Sequence, residues 1–141
     1  MKTLKWIFYP VFILSLFYFQ PVNAQEIAKR DSVYTNVDVL PEFPGGLDQF
    51  KNFMMNEIVY PPAAKKEGIQ GKVYVSFTVN KNGAVTDAKI VKGVHELLDK
   101  EALRVVETMP EWTPGKHKGE IVNVRYTVPV NFALSSDMQN N

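Results

Sequence analysis

Lys72-Val73-Tyr74-Val75-Ser76-Phe77-Thr78-Val79-Asn80 alternates without a break. Val73, Val75, Phe77 and Val79 fall on one face, and Tyr74, Ser76, Thr78 and Asn80 on the other. That period of two is the signature of a half-buried β-strand. Asn82-Gly83 follows, the preferred pair for a type I′ hairpin turn. Ala84 to Val91 then reads as the returning strand, with Ala88 and Ile90 toward the core and Asp87 and Lys89 on a solvated rear face. A last alternating run, Ile121 to Phe132, puts Val122, Val124, Tyr126, Val128, Val130 and Phe132 on one face.

Helical spacing surrounds these runs. Leu47, Phe50, Met54 and Ile58 share one face of a helix, with Asp48 in its first turn where the dipole favours a carboxylate. Glu42-Phe43-Pro44-Gly45-Gly46 is a turn before it; no Lys-Ser/Thr follows the glycine pair, so it is not a phosphate loop. Tyr60-Pro61-Pro62 stops the helix. A prolyl N1 position starts a shorter one over Ala63 to Glu67, closed by Gly68. Leu98, Ala102, Val105 and Met109 stripe a third helix, with Asp99 placed to cap it or charge its first turn, and Pro110 ends it. Glu111 to Gly115 is a rigid turn, Lys116 to Glu120 a basic loop, and Val37, Val39 and Leu40 a short strand before Pro41. The expected fold is an α+β two-layer sandwich: a small antiparallel sheet of about three strands, a hairpin plus a C-terminal edge strand, with helices on one face.

The chain has 141 residues, 16 basic and 15 acidic, and no cysteine. Its first 24 residues read as a secretory leader: Lys2 and Lys5, an apolar run from Trp6 to Phe19, then a polar stretch with small residues before a cut after Ala24. The strictly apolar run is shorter than the roughly 20 residues a spanning helix needs. Setting the leader aside leaves 117 residues with a net charge of −1. Residues 25–35 are a mobile lead-in, 36–134 the folded domain, and 135–141 a disordered tail. Near-neutral charge argues against a nucleic-acid binder. The lack of cysteine excludes a disulfide scaffold, a thiolate metal site and a cysteine nucleophile. His95 and His117 have no ligand spacing around them, and Ser76, Ser135 and Ser136 lack an activating setting. No catalytic constellation and no cofactor site is expected.

The last strand carries the functional signal. Asn123, Arg125, Thr127, Pro129 and Asn131 point away from its apolar face. Pro129 lacks an N–H and is tolerated on an edge strand rather than within a ladder. A long edge offers unpaired backbone groups to another chain. Two readings stand side by side: Pro129 blunts the edge, or the edge docks an extended peptide by strand addition.

The order and spacing of several short motifs resemble the TonB C-terminal domain family. They are Tyr60-Pro61, Ala64-Lys65-Lys66, Gly68-Ile69-Gln70-Gly71-Lys72-Val73, Val75-Ser76-Phe77-Thr78-Val79, Asn82-Gly83, Leu97-Leu98-Asp99-Lys100-Glu101-Ala102, Trp112-Thr113-Pro114-Gly115, and Tyr126-Thr127-Val128-Pro129-Val130-Asn131-Phe132. Glu42-Phe43-Pro44-Gly45-Gly46 resembles the Bacteroidetes-type members in particular. The resemblance implies a non-enzymatic energy-transducer module in transmembrane transport, docking on outer-membrane TonB-dependent receptors by pairing its last strand with their Ton box, with inner-membrane motor proteins supplying force. Carried onto this chain, the docking strand comprises Val122, Asn123, Val124, Arg125, Tyr126, Thr127, Val128 and Pro129, with Arg125 and Thr127 nearest the partner.

A complete transducer has an uncleaved anchor and a long proline-rich spacer. Here about 20 residues separate Ala24 from Gly45, at most roughly 70 Å when extended. The expectation is thus a periplasmic stand-alone binding module. The alternatives are a short transducer anchored in the inner membrane by an uncleaved leader, and a homodimer formed by strand pairing.

Overall fold

The computed structural model describes residues 32–135, together with Gln25. The leader, most of the lead-in and the tail from Ser136 lie outside the described residues.

Among residues 32–135, nine elements follow in chain order: β1 (Val33–Tyr34), α1 (Gly46–Glu57), α2 (Pro62–Lys66), β2 (Gly71–Val79), β3 (Val85–Lys92), α3 (Glu96–Glu107), β4 (Lys116–His117), β5 (Glu120–Ile121) and β6 (Asn123–Phe132). The main sheet has the order β1-β6-β2-β3, and β4 and β5 form a separate ribbon. The α+β class with a mainly antiparallel sheet therefore holds, with one strand more than expected. Val33 and Tyr34, within the stretch read as a lead-in, pair in parallel with Asn123 and Val124.

The central ladder joins β2 to β6 through nine consecutive antiparallel pairs, from Gly71–Phe132 to Val79–Val124. Its uniform register keeps the two alternating patterns in phase, so Val73, Val75, Phe77 and Val79 lie beside Val130, Val128, Tyr126 and Val124 on one face. All but Tyr126 are buried. Helix α3 covers that face with Leu98, Ala102, Val105 and Val106, each fully buried. Each fully buried Val, Leu or Phe of this set stabilises the fold by about 1.5–3 kcal/mol. The rear face is less solvated than its polar letters imply. Ser76 and Thr78 are only 2% and 3% exposed, since Ser76 lies between Thr127 and Lys89 and Thr78 between Arg125 and Thr86.

The β2–β3 turn departs from the type I′ expectation. Of its residues only Gly83 has positive φ, at 87°. The Asn80 side chain accepts from the amides of Asn82 and Ala84 at 2.9 and 3.0 Å, and Gly83 N–H donates to Asn80 C=O at 2.9 Å. This is a three-residue loop with a left-handed glycine, selected because the Asn80 carboxamide satisfies amides that a two-residue turn would leave to water. The sequence Lys118-Gly119, read as part of a loop, makes the tighter turn instead: both residues have positive φ, 51° and 77°. The Lys118 amide donates to Asp38 at 2.6 Å. That ribbon takes up Ile121, so the last strand begins at Asn123 rather than Ile121. Val37, Val39 and Leu40 form no strand; Val39 and Glu42 make isolated bridges to Lys116 and Thr113.

Helix α1 is held at its two ends. At the N-terminal side, Phe43 is buried and its ring lies 5.5, 5.4 and 5.6 Å from those of Phe50, Phe53 and Trp112. At the C-terminal side, Arg104 of α3 donates to the Glu57 carbonyl at 2.8 Å, while Glu101 accepts from the Val59 amide at 2.8 Å. Arg104 and Glu101 grip each other through two hydrogen bonds of 2.8 and 2.7 Å. The Arg104 hydrogen bond is the main reason the Glu101 carboxyl titrates below its ordinary value. His95, rather than Asp99, is the N-cap of α3, its Nδ1 accepting from Leu97 N–H; Asp99 lies in the first turn and accepts from Val94 N–H at 2.9 Å.

Two outcomes test this account. A β-carbon on Gly83 would meet the Trp112 carbonyl oxygen at 2.0 Å, so Gly83→Ala should cost about 2 kcal/mol or more and lower the midpoint of thermal unfolding. Glu101→Gln should cost about 1 kcal/mol at neutral pH, measured by urea unfolding. Because the folded carboxyl titrates below the unfolded one, its contribution is complete above the unfolded pKa and is lost as pH falls through the folded value. The gap between wild type and Glu101→Gln should therefore close in acid.

Candidate functional site: the outer edge of the last strand

The eight residues of the expected docking strand occupy one continuous stretch, but not one environment. Val122 precedes β6, buried, with its amide donating to Gly115 C=O at 3.1 Å. Asn123 and Val124 are not free edge, because β1 pairs with them. Asn123 is further engaged: its Oδ1 accepts from the Lys81 amide at 3.0 Å, and its Nδ2 donates to Ser32 C=O at 3.5 Å. There β1 arrives in parallel beside the start of β6, a pairing with too short a sequence pattern to read. Beyond Val124, among the described residues, no strand pairs with the outer side of β6.

Backbone alternation decides which groups that free edge presents. Successive residues of a strand direct their N–H and C=O to opposite neighbours. Pro129 stands opposite Tyr74 inside an unbroken register. A proline leaves such a ladder intact only when its nitrogen faces the unpaired side. Arg125, Thr127 and Asn131 share that parity, so their amides and carbonyls also face outward, while Tyr126, Val128 and Val130 bond to β2. The Arg125, Thr127, Pro129 and Asn131 side chains are exposed.

Beside this edge runs a groove of about 1010 Å³. Tyr126, Val128, Val130 and Phe132 form its floor, and Leu47, Phe50, Met54, Met55 and Ile58 of α1 and its C-terminal end form the facing wall. Phe43 and Trp112 close one end, Trp112 lying 5.4 Å from Phe77 and 5.8 Å from Tyr126 between ring centres. Tyr60 stands at the other, its ring 5.7 Å from Phe132 and its hydroxyl donating to the Ile69 carbonyl. Burial raises the pKa of that phenol above its ordinary value.

Sequence reading placed Leu47, Phe50, Met54 and Ile58 on one face of a helix without saying what that face meets. Met54 alone is buried, and Leu47 is 67% exposed. Phe50 and Ile58 pack against the core beside Met54, while helical periodicity alone locates an apolar face without saying what covers it.

Among the described residues, no group of three or more His, Asp or Glu side chains is arranged to hold a metal ion. His117 lies 3.7 Å from Asp38 and 5.2 Å from the Tyr34 ring, in the β4–β5 ribbon. No described helix is long and apolar enough to cross a membrane.

Residues 56–134, more than half of the chain, match the family described as Gram-negative bacterial TonB protein C-terminal. Protein TonB of Helicobacter pylori is 34% identical over 79 residues, covering 55% of this chain and 26% of that protein. Protein TonB of Xanthomonas campestris pv. campestris is 35% identical over 82 residues, covering 57% and 36%. The chain thus spans about a quarter to a third of the length of these curated relatives. A solution NMR structure of the Helicobacter pylori TonB-CTD is similar over 64% of this chain and 95% of that one, at 29% identity and a TM-score of 0.49. With the match running from the end of α1 through β6, this chain belongs to the TonB C-terminal domain family.

Proposed function

We propose that this chain is a non-enzymatic docking module of the periplasm that captures the Ton box of an outer-membrane TonB-dependent receptor by strand addition. The observation that carries this reading is the outer edge of β6: a regular strand, fixed on its inner side by nine pairs, with the outer side unpaired past Val124. Arg125, Thr127 and Asn131 would donate to the incoming backbone, and Pro129 would contribute only its carbonyl. Pro129 limits the edge without closing it, because carbonyls on both sides of the gap remain available. The docking segment is accordingly narrower than Val122 to Pro129. Its first residues are occupied, and it extends instead to Asn131.

The role in energy-coupled transport depends on the leader. A cut after Ala24 gives a diffusible module at residues 25–141. An uncleaved apolar run from Trp6 to Phe19 would hold the same domain at the inner membrane, where motor proteins could act on it. The first residue of the native protein separates these. Mass spectrometry should find Gln25 at the start of the periplasmic form; Met1 in the membrane fraction would establish the anchored transducer instead.

Thr127→Pro is the direct test of the edge. The substitution removes an outward amide and leaves the β2 side of the ladder untouched, so circular dichroism should stay unchanged. Affinity for a fluorescent peptide spanning a receptor Ton box should fall about ten-fold, from the lost hydrogen bond and the ring's bulk. Unchanged affinity would rule out pairing along this edge.

A further inference from the structure

The rear face of the sheet, opposite the one that α3 covers, carries charges of one sign. Residues 32–135 hold twelve basic and twelve acidic side chains, so the described domain is neutral as a whole. The register spreads them unevenly. The pairs that turn away from the core are Lys72–Asn131, Tyr74–Pro129, Ser76–Thr127 and Thr78–Arg125 with β6. Toward β3 they are Tyr74–Lys92, Ser76–Lys89 and Thr78–Thr86. Lys72, Lys89, Lys92 and Arg125 stand in these pairs, and no acid of the described residues does. Asp87, the acid of β3, falls in the bulge between the last two pairs. The four cations are exposed, and none forms an ion pair with a described residue.

These cations are arrayed rather than gathered. Lys72 and Thr78 are six residues apart on β2, roughly 20 Å, and the three strands together span about 10 Å. No single small anion could touch all four. Little stands up between them. Tyr74 is half-buried beside the Lys92 ammonium, which lies 5.8 Å from its ring centre. Ser76 and Thr78 are 2% and 3% exposed, and their hydroxyls have no hydrogen-bond partner among the described residues. Both are donors for an anion that enters between the flexible stems of Lys89 and Arg125.

We propose that this face rests on an anionic phospholipid surface, with Lys72, Lys89, Lys92 and Arg125 against the headgroup phosphates. An open, spread array of cations matches a planar array of anions. An acidic peptide would lie along one line, whereas these four occupy three strands. A second copy of this chain fits poorly, because its excess of acids lies off this face and the resulting head-to-tail contact would not close. Tyr74 suits the same surface, since tyrosine favours the membrane–water interface. The attraction grows with each Lys or Arg and fades within a Debye length, about 8–10 Å, so the face must approach closely and salt must release it. The contact is independent of strand addition at the outer edge of β6.

The test mixes the full chain with vesicles of phosphatidylcholine alone, or with one third phosphatidylglycerol. Exposed lysines are acetylated in water and quantified by mass spectrometry. The leader is present in both samples, so any hold it has on lipid cancels. Lys72, Lys89 and Lys92 should react at least about five-fold more slowly on the anionic vesicles. Lys100 of α3, on the opposite side of the sheet, should react equally on both, and about 0.5 M salt should abolish the difference. Lys89→Glu alters an exposed side chain, so its unfolding midpoint should hold while the protection of Lys72 and Lys92 weakens. Equal rates for the three lysines on the two vesicles would overturn the proposal, as would equal slowing of Lys100. Slowing of the same size by soluble polyglutamate would assign the face to an acidic polypeptide. Slowing that follows protein concentration without vesicles would assign it to a second copy. Either result overturns the lipid surface.

Discussion

The ladder between β2 and β6 is the constraint from which the other features follow. It sets Val73, Val75, Phe77 and Val79 beside Val130, Val128, Tyr126 and Val124 in a register that no bulge interrupts. A shift of one residue would turn every one of these to the wrong face, so the pairing is specified by burial on one side. The same register fixes the direction of each backbone group in β6. Pro129 can sit in the strand only because its nitrogen is turned away from β2. The outward parity of Arg125, Thr127 and Asn131 is then a consequence, and so is the site's location.

A second consequence concerns α1. With the sheet covered by α3 on the side of β2 and β3, the space under the outer margin of β6 is left to another element. Helix α1 stands there without closing it, held by the Phe43–Trp112 ring cluster at one end and by Arg104 and Glu101 at the other. Between these ends Met54 is buried, and Phe50 and Phe53 pack against the core.

Much of this was legible from residue order alone. Period-two alternation located β2, β3 and β6, and Leu98, Ala102 and Val105 of the α3 stripe are buried as read, whereas Met109 lies past the end of the helix and Val106 was missed. Pro129 pointed to the edge before any coordinates did. Three features were not legible, each for a physical reason. A two-residue strand such as β1 has no period to detect, and it pairs across some 90 positions. The Asn80 side chain rewrote the turn around Gly83, because a side-chain acceptor competes with backbone turn preferences. The α1 stripe was visible, yet an amphipathic helix facing a core and one facing an open groove have the same letters. Only the placement of Leu47 and Met55 against β6 distinguishes them.

Amide hydrogen exchange of the isolated protein, followed by NMR along β6, tests the central claim most directly. With the outer edge unpaired, protection should alternate: Tyr126, Val128 and Val130 slow, and Arg125, Thr127 and Asn131 fast. Adding a Ton-box peptide should slow the fast set and leave the slow set as it was. Uniform protection of all six amides without peptide would contradict the account, because it would mean that the edge is already covered.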